Sequence, residues 1–242
     1  MISLKIRSAP GASLAAVIVM AFGLVGCQQH PGTDASAAPR VVAGMSADRL
    51  QRLDDHFHKL VDDGKIAGVV TWIARRGEVV HEDAYGMADI GAKRPMSKDS
   101  YFYVYSMTKP ITSVALLMLY EEGRFQLSDP VAKYLPELSN LKLYAGDAPG
   151  GRMILKDPAR QPTIEDVFRH TAGFLYGMGG SRGIDKAYRE ANVLGGTLAD
   201  LTKRLGTLPL AYEPGTQWVY SVSHDVQARL VEVISGVPFD EF

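Results

Sequence analysis

Two pairs in the sequence have the spacing Ser-x-x-Lys, Ser106/Lys109 and Ser139/Lys142. Residues three apart on a helix share a face, so the hydroxyl and the amine of such a pair can meet. A serine hydroxyl becomes a strong nucleophile only when a neighbouring base takes its proton. Context separates the two pairs. Pro110 follows Lys109 directly, and proline fits a helix only in its first turn. The apolar run that follows therefore predicts a helix that starts near Ser106, continues to Glu122 and stops at Gly123. Its N-terminus offers free backbone N–H groups and positive potential to an oxyanion. The same potential disfavours an ammonium and predicts Lys109 as a neutral base. Ser139/Lys142 falls in a predicted loop and reads as solvated surface. The bland reading of Ser106 is a helix-capping serine beside a surface lysine. Tyr220 is a candidate third group, because a phenol near a lysine can share its proton load. Its bland reading is a core tyrosine whose hydroxyl finds a partner.

The elements that must position these groups follow from periodicity and turn chemistry. Ser46 predicts the cap of a helix running to about Asp63, with Leu50, Leu53, Phe57, Leu60 and Val61 on one face. Residues 67–75 and 78–86 predict two strands around an Arg76-Gly77 turn. Residues 98–105 read as extended and aromatic. The centre of the Ser106 helix, Val114 to Leu119, is apolar all round, which predicts burial on every side. Asp129-Pro130 predicts a short helix, and residues 140–162, with Gly and Pro throughout, predict a loop. Thr163 with Glu165 and Asp166 marks a helix start, and His170-Thr171-Ala172-Gly173 its end. A Gly-rich segment around Gly177-Met178-Gly179-Gly180 reads as plain flexibility. Thr197 to Leu205 predicts another helix. Glu213-Pro214-Gly215 is a turn ahead of an extended Trp218-Val219-Tyr220. A last full helix carries Val226, Leu230, Val233 and Ile234. Residues 237–242 read as the first turn of one more helix, so the chain is expected to be a truncated one whose two front strands await partners.

Other chemistries find less support. No Gly-x-Ser-x-Gly elbow occurs in the body of the chain. His56 and His58 are two apart and point to different faces of a helix, so no metal site is predicted there. His170 reads as a helix C-terminal histidine rather than a catalytic base, and His81 and His224 have no evident partner in the sequence. The 242 residues are 46% hydrophobic with a net charge of −1, which excludes a disordered chain and argues against a nucleic-acid binder. A single cysteine, Cys27, excludes an intrachain disulfide and any zinc site with two or more thiolates.

Lys5 and Arg7 precede a short apolar run that ends in Leu24-Val25-Gly26-Cys27. Basic residues, a short apolar stretch and a small-residue end read as a secretory signal over residues 1–27. The tail resembles a bacterial lipobox. That resemblance implies lipidation at Cys27 and a lipid-anchored place in the bacterial envelope; Gln28 after the cysteine implies the outer membrane, periplasmic side. Residues 28–45, rich in Gly, Ala, Pro and Ser, read as a flexible tether, and residues 46–242 as the folded body.

Three segments in order carry a wider resemblance: Tyr-Ser-Met-Thr-Lys-Pro at 105–110, Thr-Ile-Glu-Asp-Val-Phe-Arg-His-Thr-Ala-Gly at 163–173, and Pro-Gly-Thr-Gln-Trp-Val-Tyr-Ser-Val at 214–222. Together they resemble the serine β-lactamase-related family, in its class C-like branch of esterases and penicillin-recognising enzymes. The resemblance implies an α/β fold in which an antiparallel sheet is flanked by helices and joined by a helical domain, with C-terminal strands missing here. It implies Ser106 as nucleophile, with Lys109 and Tyr220 as its proton-handling partners. Tyr105, Tyr176 and Trp218 are expected as walls of an acyl pocket. The family's Tyr-x-Asn motif reads Tyr220-Ser221-Val222 here, so Val222 takes the place of a substrate-binding asparagine. That favours an esterase over a D-Ala-D-Ala peptidase or β-lactamase. The family's third motif, Lys- or His-Thr-Gly, is absent from these residues, which leaves a catalytically inactive envelope protein as a third reading. No metal or organic cofactor is implied; the implied partners are a small ester or acyl-amide substrate and a membrane.

Overall fold

The computed structural model describes residues 41–180 and 182–242. The expected signal segment, Cys27 and residues 28–40 of the expected tether lie outside the described residues. The chain divides into two units, residues 1–101 and 102–242.

In the first unit, Val41–Val42 (β1) pairs antiparallel with Met45–Ser46 (β2). Ala43 and Gly44 both have positive φ, as a two-residue hairpin turn needs, and Arg75 Nη1 donates to the Gly44 carbonyl at 2.9 Å. Residues 41–45, expected within the tether, are therefore paired chain. Ser46 caps α1, Ala47–Asp62, by accepting from the Arg49 N–H. The Arg76-Gly77 turn, again with positive φ at both positions, joins β3 (Gly68–Arg75) to β4 (Glu78–Asp89). Arg94–Pro95 (β5) completes an antiparallel sheet of order β3-β4-β5.

The second unit opens with a 3-10 turn at Tyr105–Met107 that feeds α2, Thr108–Glu121. Residues 140–162 are not the expected loop. Leu143–Asp147 (β6) and Met153–Lys156 (β7) form an antiparallel hairpin, and Leu143 also bridges to Leu210. The glycines at 146, 150 and 151 that suggested a loop have positive φ and build the bulge and the turn of this hairpin. Four helices follow: α3 (Ile164–Phe168), α4 (Gly183–Glu190), α5 (Leu198–Leu205) and α6 (Ser223–Ser235). The last residues make a turn in which the Glu241 and Phe242 N–H groups donate to the Pro238 carbonyl. Among the described residues, no helix is long and apolar enough to cross a membrane.

The core of this unit lies between α2, α3, α5 and α6, with Leu116, Leu119, Val167, Leu205, Val226 and Leu230 buried in it. The helix α2 buries only the stripe Thr112, Leu116 and Leu119, spaced i, i+4, i+7, while Ile111, Val114, Leu117 and Met118 stay exposed. The expected burial on every side is therefore not found among the described residues: α2 is buried only on the α6 side, where the partner helix lies. Ser113 Oγ donates to Gln227 Oε1 at 2.9 Å, and Gln227 Nε2 donates to the Val167 carbonyl at 3.1 Å. One buried amide thereby ties α2 and α3 to α6.

Asp166 is the polar anchor of α3. Its buried carboxylate accepts from Arg160, from the Thr163 N–H and hydroxyl, and from the Thr171 hydroxyl. Burial pushes its pKa up, but the Arg160 guanidinium and these hydrogen bonds outweigh burial and hold it below the usual carboxylate range. A depressed folded-state value adds stability above the unfolded pKa of about 4, and that stability is lost as pH falls through the folded value. Asp166→Ala is therefore expected to cost about 2–4 kcal/mol at neutral pH, by loss of the cap and of a buried charge-assisted network. Urea melts in steps below pH 4 should show the variant and the parent converging.

Candidate active site

The backbone at Tyr105 has φ +45°, a left-handed conformation rare for a residue with a side chain, and Ser106 follows it. The 3-10 turn presents Ser106 at the head of α2, one turn from Lys109, as the spacing requires. Lys109 Nζ donates to Ser106 Oγ at 3.3 Å. Tyr220, 114 residues away in the segment entering α6, has its hydroxyl 2.6 Å from the same oxygen. That is the length of a charge-assisted O–H···O contact. Lys109 Nζ also lies 4.7 Å from the centre of the Tyr220 ring and 5.8 Å from that of Tyr176.

The protonation states differ from the expectation for Lys109. Burial pulls the ammonium down, but hydrogen bonding to Tyr220 and Tyr176 outweighs it, and the net shift is upward. Tyr220 moves the other way: the Lys109 ammonium and the Ser106 hydroxyl lower its pKa, against burial. Lysine therefore keeps its proton, and the phenol is the group prepared to lose one. The helix terminus alone predicts a neutral amine; two phenol oxygens beside Nζ reverse the sign.

Two histidines form a neutral layer beside Tyr220. The His170 ring centre is 4.9 Å from that of Tyr220 and 4.7 Å from that of His224. The Ser221 N–H donates to His170 Nδ1 at 3.2 Å, so the ring proton of His170 sits on Nε2. Burial, then the charge on Lys109, lowers the His170 pKa. Burial, then His170 and Lys109, lowers that of His224 to about 4. Both rings are neutral at pH 7 and add no competing positive charge to Lys109. His170 does end α3, following its C-cap Arg169 with φ +57°, and it is also packed against the tyrosine. Nothing local in the sequence signals this, because both contacts close loops of about fifty residues.

The other expected site residues divide. Tyr176 stands 5.5 Å from Tyr220, ring to ring, and Trp218 stands 6.4 Å from it, so both border the cluster. Tyr105 is largely exposed beside Ser106 and 6.3 Å from Tyr103. Val222 does not border the site: it is fully buried at the start of α6. An apolar side chain there drops into the core. The glycine-rich segment is more than a flexible linker. Gly177, Met178 and Gly180 line a cavity of about 460 Å³ together with Tyr176, Val219 and Tyr220, and Arg189 Nη1 holds the Gly180 carbonyl at 3.2 Å.

An α/β chain with a serine–lysine–tyrosine cluster at the head of a helix defines a β-lactamase-like protein. The family model described as Beta-lactamase matches residues 53–242, and the chain belongs to that family. It is 35% identical over 183 residues to Protein Rv1367c of Mycobacterium tuberculosis, covering 75% of this chain and 45% of that protein. It is 32% identical over 212 residues to Esterase EstB of Burkholderia gladioli, covering 85% and 50%. Among solved structures it matches EstCE1, a hydrolase with promiscuous acyltransferase activity, with TM-score 0.65 and 26% identity over 79% of this chain and 48% of that one. The chain spans about half the length of the curated relatives it matches.

Proposed function

We propose that the protein hydrolyses carboxyl esters through an acyl-enzyme on Ser106. The observation that carries this reading is the pair of contacts on one oxygen: Tyr220 at 2.6 Å and Lys109 at 3.3 Å from Ser106 Oγ. Tyr220, as a phenolate held by the Lys109 ammonium, takes the Ser106 proton while Oγ bonds to the acyl carbon. The Ser106 backbone N–H steadies one side of the oxyanion. When the tetrahedral species collapses, the ester C–O bond breaks and the alkoxide leaves with the proton from Tyr220. The phenolate then deprotonates water, which attacks the acyl carbon; Ser106 Oγ departs and recovers that proton. The cavity beside Tyr176 and Tyr220 suits the acyl chain, and the kinship with EstB, a named esterase, supports the substrate class.

A D-Ala-D-Ala peptidase or β-lactamase is the second reading. The burial of Val222 speaks against it, since no polar group stands there for a substrate amide. In the envelope reading, Cys27 anchors the protein by lipid and the site faces the periplasm, a reading that rests on the sequence of residues 1–29.

A side-by-side assay with short-chain p-nitrophenyl esters and a chromogenic cephalosporin tests the substrate class. The expected result is ester turnover at least about 100-fold above β-lactam turnover, the scale set by one polar recognition contact of 2–3 kcal/mol. The reverse ratio would establish the second reading. A folded chain that turns over neither would establish the inactive one.

A further inference from the structure

We propose that Asp54, His58 and Asp83 form a binding site for a divalent transition metal, with Zn²⁺ the best match, positioned by His81 and fastening α1 to β4. The site lies wholly within the first unit and involves none of the residues around Ser106.

The spacing is that of a two-element chelate. Asp54 and His58 are four apart on α1 and share a face. His81 and Asp83 are two apart on β4 and share a face of the strand. Packing α1 on this sheet brings the two faces together: His58 Nε2 lies 2.8 Å from Asp83 Oδ2, and His81 Nε2 lies 3.0 Å from Asp54 Oδ1. One imidazole nitrogen and two carboxylate oxygens, those of His58, Asp54 and Asp83, all fall within 4.8 Å of one another. For three atoms so placed, some point lies within about 2.8 Å of all of them. Reaching zinc bond lengths of about 2.0–2.2 Å then takes a contraction of well under 1 Å per ligand, which side-chain rotation supplies.

A second observation points the same way. Asp54 Oδ1 is buried and receives no well-aligned hydrogen bond among the described residues; His81 Nε2, 3.0 Å away, is shared with Thr71 Oγ1 at 2.9 Å. A buried carboxylate oxygen whose one near donor is poorly aligned and shared keeps the capacity to bind a cation. The surroundings hold the ligands in place. His58 stacks on Tyr85 with ring centres 3.8 Å apart, and the Tyr85 hydroxyl donates to Asp62 at 3.0 Å. His58 and Asp83 retain 29% and 26% of their side-chain exposure, an entry route for an ion. Mixed nitrogen and oxygen ligands favour Zn²⁺, or Co²⁺ as its spectroscopic substitute, over Ca²⁺ or Mg²⁺. The ion binds neutral imidazole, so the Nε2 proton of His58 must leave or move to Nδ1 first.

The test is a Co²⁺ titration of the chelator-treated full chain followed by visible absorption, with histidine-ring NMR on the diamagnetic Zn²⁺ form. The expected result is one equivalent bound, displaced by Zn²⁺, with the His58 ring signals perturbed and those of His170 and His224 unmoved. Asp54→Asn and His58→Gln are each expected to weaken binding at least 100-fold, while Ser106→Ala leaves it unchanged. Absence of binding at about 100 μM Co²⁺ would overturn the proposal, as would unchanged affinity in both variants. Should a variant not fold, the wild-type NMR in Zn²⁺ decides: a largest ring perturbation at any histidine other than His58 or His81 overturns the site.

Discussion

Ser106→Ala is expected to abolish labelling by a fluorophosphonate, whereas the wild-type chain takes up one phosphonyl group, on Ser106. Two proton-handling groups, Lys109 and Tyr220, converge on Ser106 Oγ. Removing the hydroxyl leaves the electrostatics of the pair without a nucleophile to activate. Loss of a serine nucleophile costs about 10⁴–10⁶ in turnover in hydrolases of known mechanism, so labelling in the variant should fall below detection. The side chain is exposed and removes no core contact, so circular dichroism and the melting midpoint should not change. Intact mass and peptide mapping read the outcome. An adduct that persists in Ser106→Ala would place the reactive group elsewhere, and a folded wild-type chain that stays unmodified would refute an activated Ser106.

The second large effect is expected at Tyr220. Tyr220→Phe keeps the ring that packs on His170 and near Tyr176 and removes only the oxygen 2.6 Å from Ser106. General-base assistance contributes about 10²–10⁴ in rate, so phosphonylation of Ser106 should slow by that factor while remaining at Ser106. The pH profile separates a base from a merely structural tyrosine. The Tyr220 pKa lies below its ordinary 10, held there by Lys109. The base is the deprotonated form, so the wild-type rate rises with pH and levels off below pH 10. At still higher pH the rate falls as Lys109, raised above 10.5, loses its proton and no longer stabilises the phenolate. Tyr220→Phe loses the rising limb. Lys109→Met keeps that limb but moves it upward, toward the pKa of an ordinary phenol. A rising limb that Tyr220→Phe leaves in place would assign the base to another group.

Much of the local structure was legible in the sequence because its causes are local. Ser46 caps α1, and Thr163 and Thr197 cap α3 and α5 through reciprocal bonds with an acid three residues on. Arg76-Gly77 turns the front hairpin through two positive φ values, and Pro110 fixes the start of α2. Each is decided within four residues by sterics, a missing N–H or a single side-chain bond. The Ser-x-x-Lys pair is of the same kind, since one helical turn suffices to bring Lys109 to Ser106.

Tertiary packing decided the rest. Tyr220 meets Ser106 across 114 residues only because α2 and α6 pack together, with Gln227 bonded to Ser113 between them. The same packing put His170 beside the phenol and buried Val222. The proton balance of Lys109 changed sign because two phenols arrived from distant segments. In the first unit the sequence shows Asp54 and His58 one turn apart and His81 and Asp83 on one side of a strand. That the two pairs face each other depends on how α1 lies on the sheet, which is a matter of side-chain burial summed over the whole interface rather than of any local signal.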